Sequence, residues 1–382
     1  MKSRYQYVLM LVMFVATAWV YSSCSDDSSG SEPKISYIRI TDPESSDSLL
    51  TAGLQGATIA IIGENLGGAK EIWFNDRPGS LSPVYITDRT IITAIPSKIP
   101  TEITDKLTIV FSGGKTLEHE FRVAISEPVV SSMKSEYVNE GKIAYIRGSY
   151  FYEPITVTFE GGVTGEVLDV GLNNDLLEVI VPAGAQSGPV TVTTNFGETQ
   201  SDFFFRDNRN LFLTNDPWSG WWGGDLVVNA SDPLAINGNF TRITKQIGGW
   251  AWTEMLGGPP DALGDISKNI PDEAVTHPED FYLKFEVNTI KPYNGNRIKI
   301  MLGQVTNPDP NWDNEPYYWE APYDTKGEWQ TVIIPFEDVV ANFASWTVRP
   351  GGYGVKIWFH GPGALDADMA FDNFRVVPKV AE

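Results

Sequence analysis

The chain of 382 residues has one cysteine, Cys24, so no disulfide can form within it and packed secondary structure must supply the stability. It has three histidines, widely separated, and with a single cysteine this leaves no zinc-ligand spacing. Basic runs are absent: 28 Lys and Arg stand against 49 Asp and Glu, a net charge of −21. Nucleic acid, whose phosphates need basic patches, is thereby excluded as a partner, and a neutral ligand suits the chain better than an anionic polymer. No Walker loop, dinucleotide glycine fingerprint or Ser-His-Asp motif occurs. The one long apolar run, Tyr7 to Val20, is too short for a confident membrane span, which takes about 20 residues.

That run follows Lys2 and Arg4 and precedes Ser22, Ser23 and Cys24, the order of a secretory leader. The segment resembles a bacterial lipobox, which implies cleavage after residue 23 and diacylation of Cys24. Tyr21 departs from the leucine usual there. Ser25-Asp26-Asp27 resembles the acidic tag that sends Bacteroidetes lipoproteins to the outer face of the outer membrane. Residues 1–23 are thus expected to be a signal peptide, and 24–33 a polar tether reaching about 15–18 Å.

A pattern then occurs twice. Gly56 and Gly63 bracket an apolar strand, followed by Asn65-Leu66-Gly67 and Ile72-Trp73-Phe74. Gly141 and Gly148 bracket another, followed by Tyr150-Phe151 and Ile155 to Phe159. Short alternating strands punctuated by turn residues predict β-sandwiches, and repetition on this scale predicts two copies of one unit. The pattern resembles the immunoglobulin-like TIG (IPT) domain, and two such domains are expected at 34–125 and 126–206. Nothing in them looks catalytic. His119 alternates with apolar residues and reads as a solvent-facing strand position, while Trp73 reads as packing. The copies read as a stiff spacer, with Ser126-Glu127-Pro128 a short join between them.

Residues 207–382 repeat neither unit. Phe281, Leu283, Phe285 and Val287 alternate with Tyr282, Lys284 and Glu286, and Val355, Ile357 and Phe359 with Lys356, Trp358 and His360. Ala370 to Val376 and Gly327 to Pro335 resemble strands of jelly-roll carbohydrate-binding modules. The predicted fold class is all-β: two Ig-like sandwiches followed by a jelly-roll sandwich.

Ten of the twelve tryptophans lie between Trp218 and Trp358, more than one core needs. Flat apolar rings with one N–H suit the face of a sugar. In a strand, Trp250, Trp252 and Glu254 share one side, and a carboxylate beside two indoles reads as a binding surface, because Glu254 in a core would be unpaired; a bulge that broke the alternation would make the indoles packing residues instead. Trp312, Tyr317, Tyr318 and Trp319 sit among prolines that exclude a central strand and read as a loop platform for a ligand, with anchoring of the loop as the alternative. Trp221 and Trp222 form a further candidate, or a wedge at a domain start, and Trp358 is a third outward face residue. Trp329 reads as core. Asp309, Asp313, Asp366, Asp368 and Asp372 could make a structural Ca²⁺ site, though solvated acidic loops are commoner; no cofactor is otherwise expected.

The whole arrangement is similar to Bacteroidetes surface glycan-binding lipoproteins at the SusE/SusF position (surface glycan-binding protein B type). The resemblance implies an outer-membrane surface protein without catalysis, holding a neutral plant polysaccharide (xyloglucan, glucan or mannan) for a SusC/SusD-like transporter. Two other readings stay open. A glycoside hydrolase would draw a carboxylate pair from Glu254, Asp313, Glu315 and Glu320, and an adhesin would bind protein through the TIG copies.

Overall fold

The computed structural model describes residues 32–380 apart from Ser46, residues 304–315 and Ala344. The expectations placed on Cys24 and Trp312 lie outside the described residues. The chain divides into two compact units, one ending at Ile125 and the other running from Ser126.

The first unit is a sandwich. One sheet orders Lys34–Ile40, Thr58–Glu64 and Thr90–Ala94; the other orders Arg77–Pro78, Ala69–Phe74, Lys106–Phe111 and Thr116–Glu120. A short parallel pair, Ala52–Leu54 with Arg122–Ala124, completes it. Period-two alternation sends Ile59, Ile61, Ile72, Phe74, Leu107 and Ile109 between the sheets.

The second unit opens with a like sandwich. Its strands follow one path: Val129–Met133, Ile143–Ser149, Leu176–Ile180, Val163–Val170, Thr156–Phe159, Gly188–Thr194 and Gly197–Phe205. Val163–Val170 pairs with Thr156–Phe159 through its first residues and with Leu176–Ile180 through its last, so it carries the chain around the corner of the sandwich. The recurring glycines have a physical cause. A Cβ on Gly63 would collide with the Lys34 carbonyl oxygen, and one on Gly148 with that of Val129. Both face the first strand of their copy beside a register shift. Two residues further on, Asn65 and Tyr150 both take left-handed backbone, at φ 58° and 61°.

The C-terminal sandwich has two sheets. One orders Val227–Val228, Phe240–Ile247, Leu365–Pro378, Phe281–Thr289 and Gln330–Pro335, with Leu211–Leu213 added to the long Leu365–Pro378 strand. The other orders Thr253–Gly258, Gly354–Phe359, Arg297–Gly303 and Tyr317–Glu320. Between them lies the apolar core, including Phe285, Tyr293, Trp319, Ile357, Phe359, Phe371 and Phe374.

A buried ionic cluster joins the two sandwiches of the second unit. Phe374 and Val376 enter the C-terminal core, while Arg375 between them bonds Glu136 of the Ig-like sandwich at 2.5 Å and Glu286 at 3.0 Å. Lys284 reaches the other Glu136 oxygen at 2.6 Å, and the Ser135 hydroxyl donates to Glu286 at 3.0 Å. Two cations thus meet two carboxylates with no net charge left over. The Tyr137 hydroxyl donates to the Asp207 carbonyl at 2.6 Å beside them.

Candidate ligand-binding face

The site is built on the outer face of the four-stranded sheet. Along Arg297–Gly303, Ile298, Ile300 and Leu302 enter the core, so Arg297, Lys299 and Met301 face outward. Along Gly354–Phe359 the same alternation turns Lys356 and Trp358 outward. Register then lines residues up across the sheet. Glu254 lies opposite Trp358, Trp358 opposite Lys299, and Lys299 opposite Tyr318, one row over four strands.

A second row sits one pleat further on. Its centre is the parallel stack of Trp252 on His360, with ring centroids 3.7 Å apart. The His360 backbone N–H donates to the Arg297 carbonyl at 3.0 Å, and Arg297 pairs in register with Glu320. Trp250 precedes the strand in left-handed backbone at φ 58°, where its N–H donates to the Gly361 carbonyl at 2.6 Å. That turn places its ring 5.3 Å from His360.

Cations sit against these rings. Lys299 Nζ lies 4.9 Å from the Trp252 ring, and the Arg297 guanidinium lies 3.7 Å from Tyr318 and 5.4 Å from Trp250. Such contacts help to fix the orientation of the rings. Trp222 meets Trp358 edge to face at 5.1 Å, and Trp221 meets Trp222 at 5.9 Å. The Trp221 N–H donates to the Gly257 carbonyl at 2.9 Å, which ties this segment to the sheet edge.

Exposure separates the candidates. Trp221, Trp250 and Trp252 are 61%, 54% and 51% exposed, and they are the exposed tryptophans among the described residues. All three belong to this one aromatic cluster. Exposed large rings gathered in one place mark an interaction surface, since a fold gains nothing by leaving them in water. Glu254 is also exposed, and Tyr318 and Trp222 are half-buried on the same surface.

Several expectations need correction. Trp319 is no platform residue: it is buried, packed edge-on to Phe285 and tilted against Tyr293, whose hydroxyl donates to its carbonyl at 2.7 Å. Tyr317 also packs against the core. The segment Tyr317–Glu320 is an edge strand rather than a loop, because prolines 316 and 322 flank the ladder without interrupting it. Trp250 and Trp252 lie before the strand that holds Glu254 and join the face through contacts with His360 and Trp358, not through strand alternation. Trp358 faces outward but is buried under Trp222. Trp329 is half-buried against Phe240 rather than a core residue. The residues not anticipated as part of the site are His360, Lys299 and Arg297; their outward strand parity was the available signal.

Burial and the nearby Lys299 and Arg297 charges hold the His360 imidazole below the usual histidine range, so at neutral pH it stacks uncharged. Glu254 and Glu320 stand on the first and fourth strands of the sheet. Three strand spacings separate their backbones by roughly 14 Å. Of the acids considered for Ca²⁺, Asp366 pairs with Lys291 and Asp368 with Arg242, both at 2.9 Å. Asp372 is buried against Asn215 instead.

Fold and face together define the class: an all-β chain of successive sandwiches whose last sandwich carries an exposed aromatic face. Residues 205–378 match the family model described as the surface glycan-binding protein B xyloglucan binding domain. An IPT/TIG domain-containing protein of Bacteroides ovatus is 29% identical, over 99% of this chain and 100% of the relative. The crystal structure of a surface glycan-binding protein B from Prevotella bryantii has a TM-score of 0.67 at 22% identity, covering 91% of this chain and 99% of that one. A surface glycan-binding protein B from a complex xyloglucan utilization locus in Bacteroides uniformis has a TM-score of 0.50 at 20% identity, with the same coverage. Over most of its length the chain shares the fold of the surface glycan-binding protein B from Prevotella bryantii.

Proposed function

We propose that the chain holds a neutral β-linked plant glycan, xyloglucan first among them, along the face carried by Trp252, Trp250 and Trp221. The observation that carries this reading is the gathering of the three exposed indoles around His360 and Trp358 on one sheet. A β-linked glucan is a flat ribbon with axial C–H bonds on both sides, which indoles cover without charge. Glu254, Glu320, Lys299 and Arg297 lie between or beside the rings, where hydroxyls need acceptors and donors. The family match over residues 205–378 supports xyloglucan over the other neutral glycans.

The affinity suits reversible capture. Aromatic contacts contribute about 0.5–1.5 kcal/mol each beyond area burial. Three stacks with a few hydrogen bonds give roughly −5 to −8 kcal/mol, a Kd between a few hundred micromolar and about one. Affinity gel electrophoresis against xyloglucan, mixed-linkage glucan and galactomannan tests the reading. Retardation strongest in xyloglucan is expected; equal mobility in all gels would defeat it.

The kinship with surface glycan-binding proteins supports a place on the cell surface. Our reading is that Cys24 carries the lipid anchor in the outer membrane and that captured polymer passes to a SusC/SusD-like transporter. Cys24→Ala should shift the protein from the membrane fraction to the soluble one.

A further inference from the structure

A second aromatic-lined opening lies away from this face, where the Ig-like sandwich of the second unit meets the C-terminal one. It is a cleft of about 500 Å³, within the size range of small-molecule sites. Ile143 and Tyr145 form the Ig-like wall; Leu234 and Trp329 form the opposite one. Ile143 and Leu234 are 38% and 45% exposed, large apolar side chains left in water on both sides of a gap.

The ring of Trp329 is held rigidly. Its Nε1–H donates to the Leu234 carbonyl at 2.8 Å, and it stands edge to face with Phe240 at 5.5 Å. On the other wall, Lys134 lies 5.1 Å from the Tyr145 ring and is ion-paired with Glu328 across the junction. The rim is thus polar, and Lys142 lines it beside the Lys134–Glu328 pair. Below it, Arg375, Lys284, Glu136 and Glu286 lock the walls at a set separation. A cleft between two bodies pinned this way keeps its shape without ligand, which lowers the ordering cost of binding.

Fixed flat rings, apolar side chains and a polar rim repeat the chemistry of the outer sheet face. We propose that this interdomain cleft is a second subsite for a neutral glycan, which stacks on Trp329 and Tyr145 and meets polar groups at the rim. The proposal rests on the glycan-binding reading of the C-terminal sandwich. Two subsites on one rigid body make the second contact of a long polymer intramolecular, so polysaccharide is held more tightly than either subsite would hold it. A short oligosaccharide gains nothing from the linkage.

The test uses the full chain with the cleft blocked at its mouth by Ile143→Arg, and separately from the opposite wall by Leu234→Arg. The probes are xyloglucan polysaccharide in affinity gels and a xylogluco-oligosaccharide titrated by the fluorescence of the exposed face tryptophans. Each blocked variant that keeps the wild-type melting temperature should bind polysaccharide at least about tenfold more weakly, with oligosaccharide binding at the Trp252 face unchanged. Polysaccharide affinity equal to wild type in both would overturn the cleft proposal and leave the face reading standing. If Trp252→Ala instead leaves polysaccharide binding whole and the blocked variants abolish it, the face reading fails and the cleft stands as the binding site.

Discussion

The imidazole of His360 lies against the indole of Trp252 with the two planes 12° from parallel. The pair joins a turn preceding one strand to the residue just after another, and it sets the angle at which Trp252 meets solvent. Trp250 meets the same imidazole edge to face at 5.3 Å. The histidine is therefore the mount on which two of the three open indoles rest.

This mount gives the face a pH profile. The folded His360 pKa lies below the ordinary value of 6.5, through burial first and the Lys299 and Arg297 charges second. The neutral ring therefore persists below pH 6.5, and charge appears only as pH falls through the lowered value. There the imidazolium meets Lys299 and Arg297, with Glu320 engaged by Arg297, and the stack loosens. Glycan affinity should stay level from pH 8 to 6.5 and weaken in acid. His360→Phe, which keeps a flat ring, should remove the acid limb in calorimetric titrations; a wild-type decline already complete by pH 6.5 would contradict the assignment.

Trp252 and Trp319 should respond in opposite ways to truncation. Trp252→Ala removes a half-open ring with its His360 and Trp358 contacts, so stability should fall by about 1–2 kcal/mol, while affinity for xyloglucan falls at least about tenfold. Trp319→Ala empties a core position and should cost about 3–5 kcal/mol. Paired melting and gel-shift measurements distinguish them: a large drop in melting temperature for Trp252→Ala would make that ring structural.

The ionic cluster at the junction makes its own prediction. Arg375→Met leaves Glu136 and Glu286 buried and facing each other, a loss of about 3–5 kcal/mol. Scanning calorimetry should then show the Ig-like sandwich of the second unit and the C-terminal sandwich melting apart. A single unshifted transition would mean that apolar packing alone couples them.

Asp372 stands in the same sheet with one oxygen accepting from Asn215 and the Asn373 N–H, while its other oxygen has no hydrogen-bond partner among the described residues. Burial raises its pKa well above the ordinary carboxylate value. The folded chain then holds this proton where the unfolded chain has released it, so its contribution to stability is lost as pH rises through the folded pKa. Asp372→Asn should melt higher than wild type at pH 8, with the gap narrowing toward pH 4. A gap independent of pH would assign the effect to packing.

Much of this architecture was legible in residue order. The glycines seven apart, repeated 85 positions on, announced two sandwiches because Gly63 and Gly148 stand where only a missing Cβ clears a neighbouring carbonyl. Alternation in Phe281–Thr289 and Gly354–Phe359 named the core side chains. The binding face was legible only in part. Tyr318 and Trp319 adjoin in an edge strand, so one must face outward and the other inward, and the flanking prolines disguised the strand that decides this.

Composition and periodicity alone thus determined that the chain is a series of β-sandwiches, that it has surplus indoles, and that its charge suits a neutral ligand. Those properties follow from local sterics and from the two-residue repeat of a strand, which neighbours in sequence already carry. Which indoles stay open was decided by tertiary structure. Trp222 covers Trp358 from a segment more than a hundred residues earlier in the chain, and His360 and Trp252 meet across a similar span. Solvent access depends on what folds back over a ring, and that is a property of the assembled sandwich rather than of any stretch of chain.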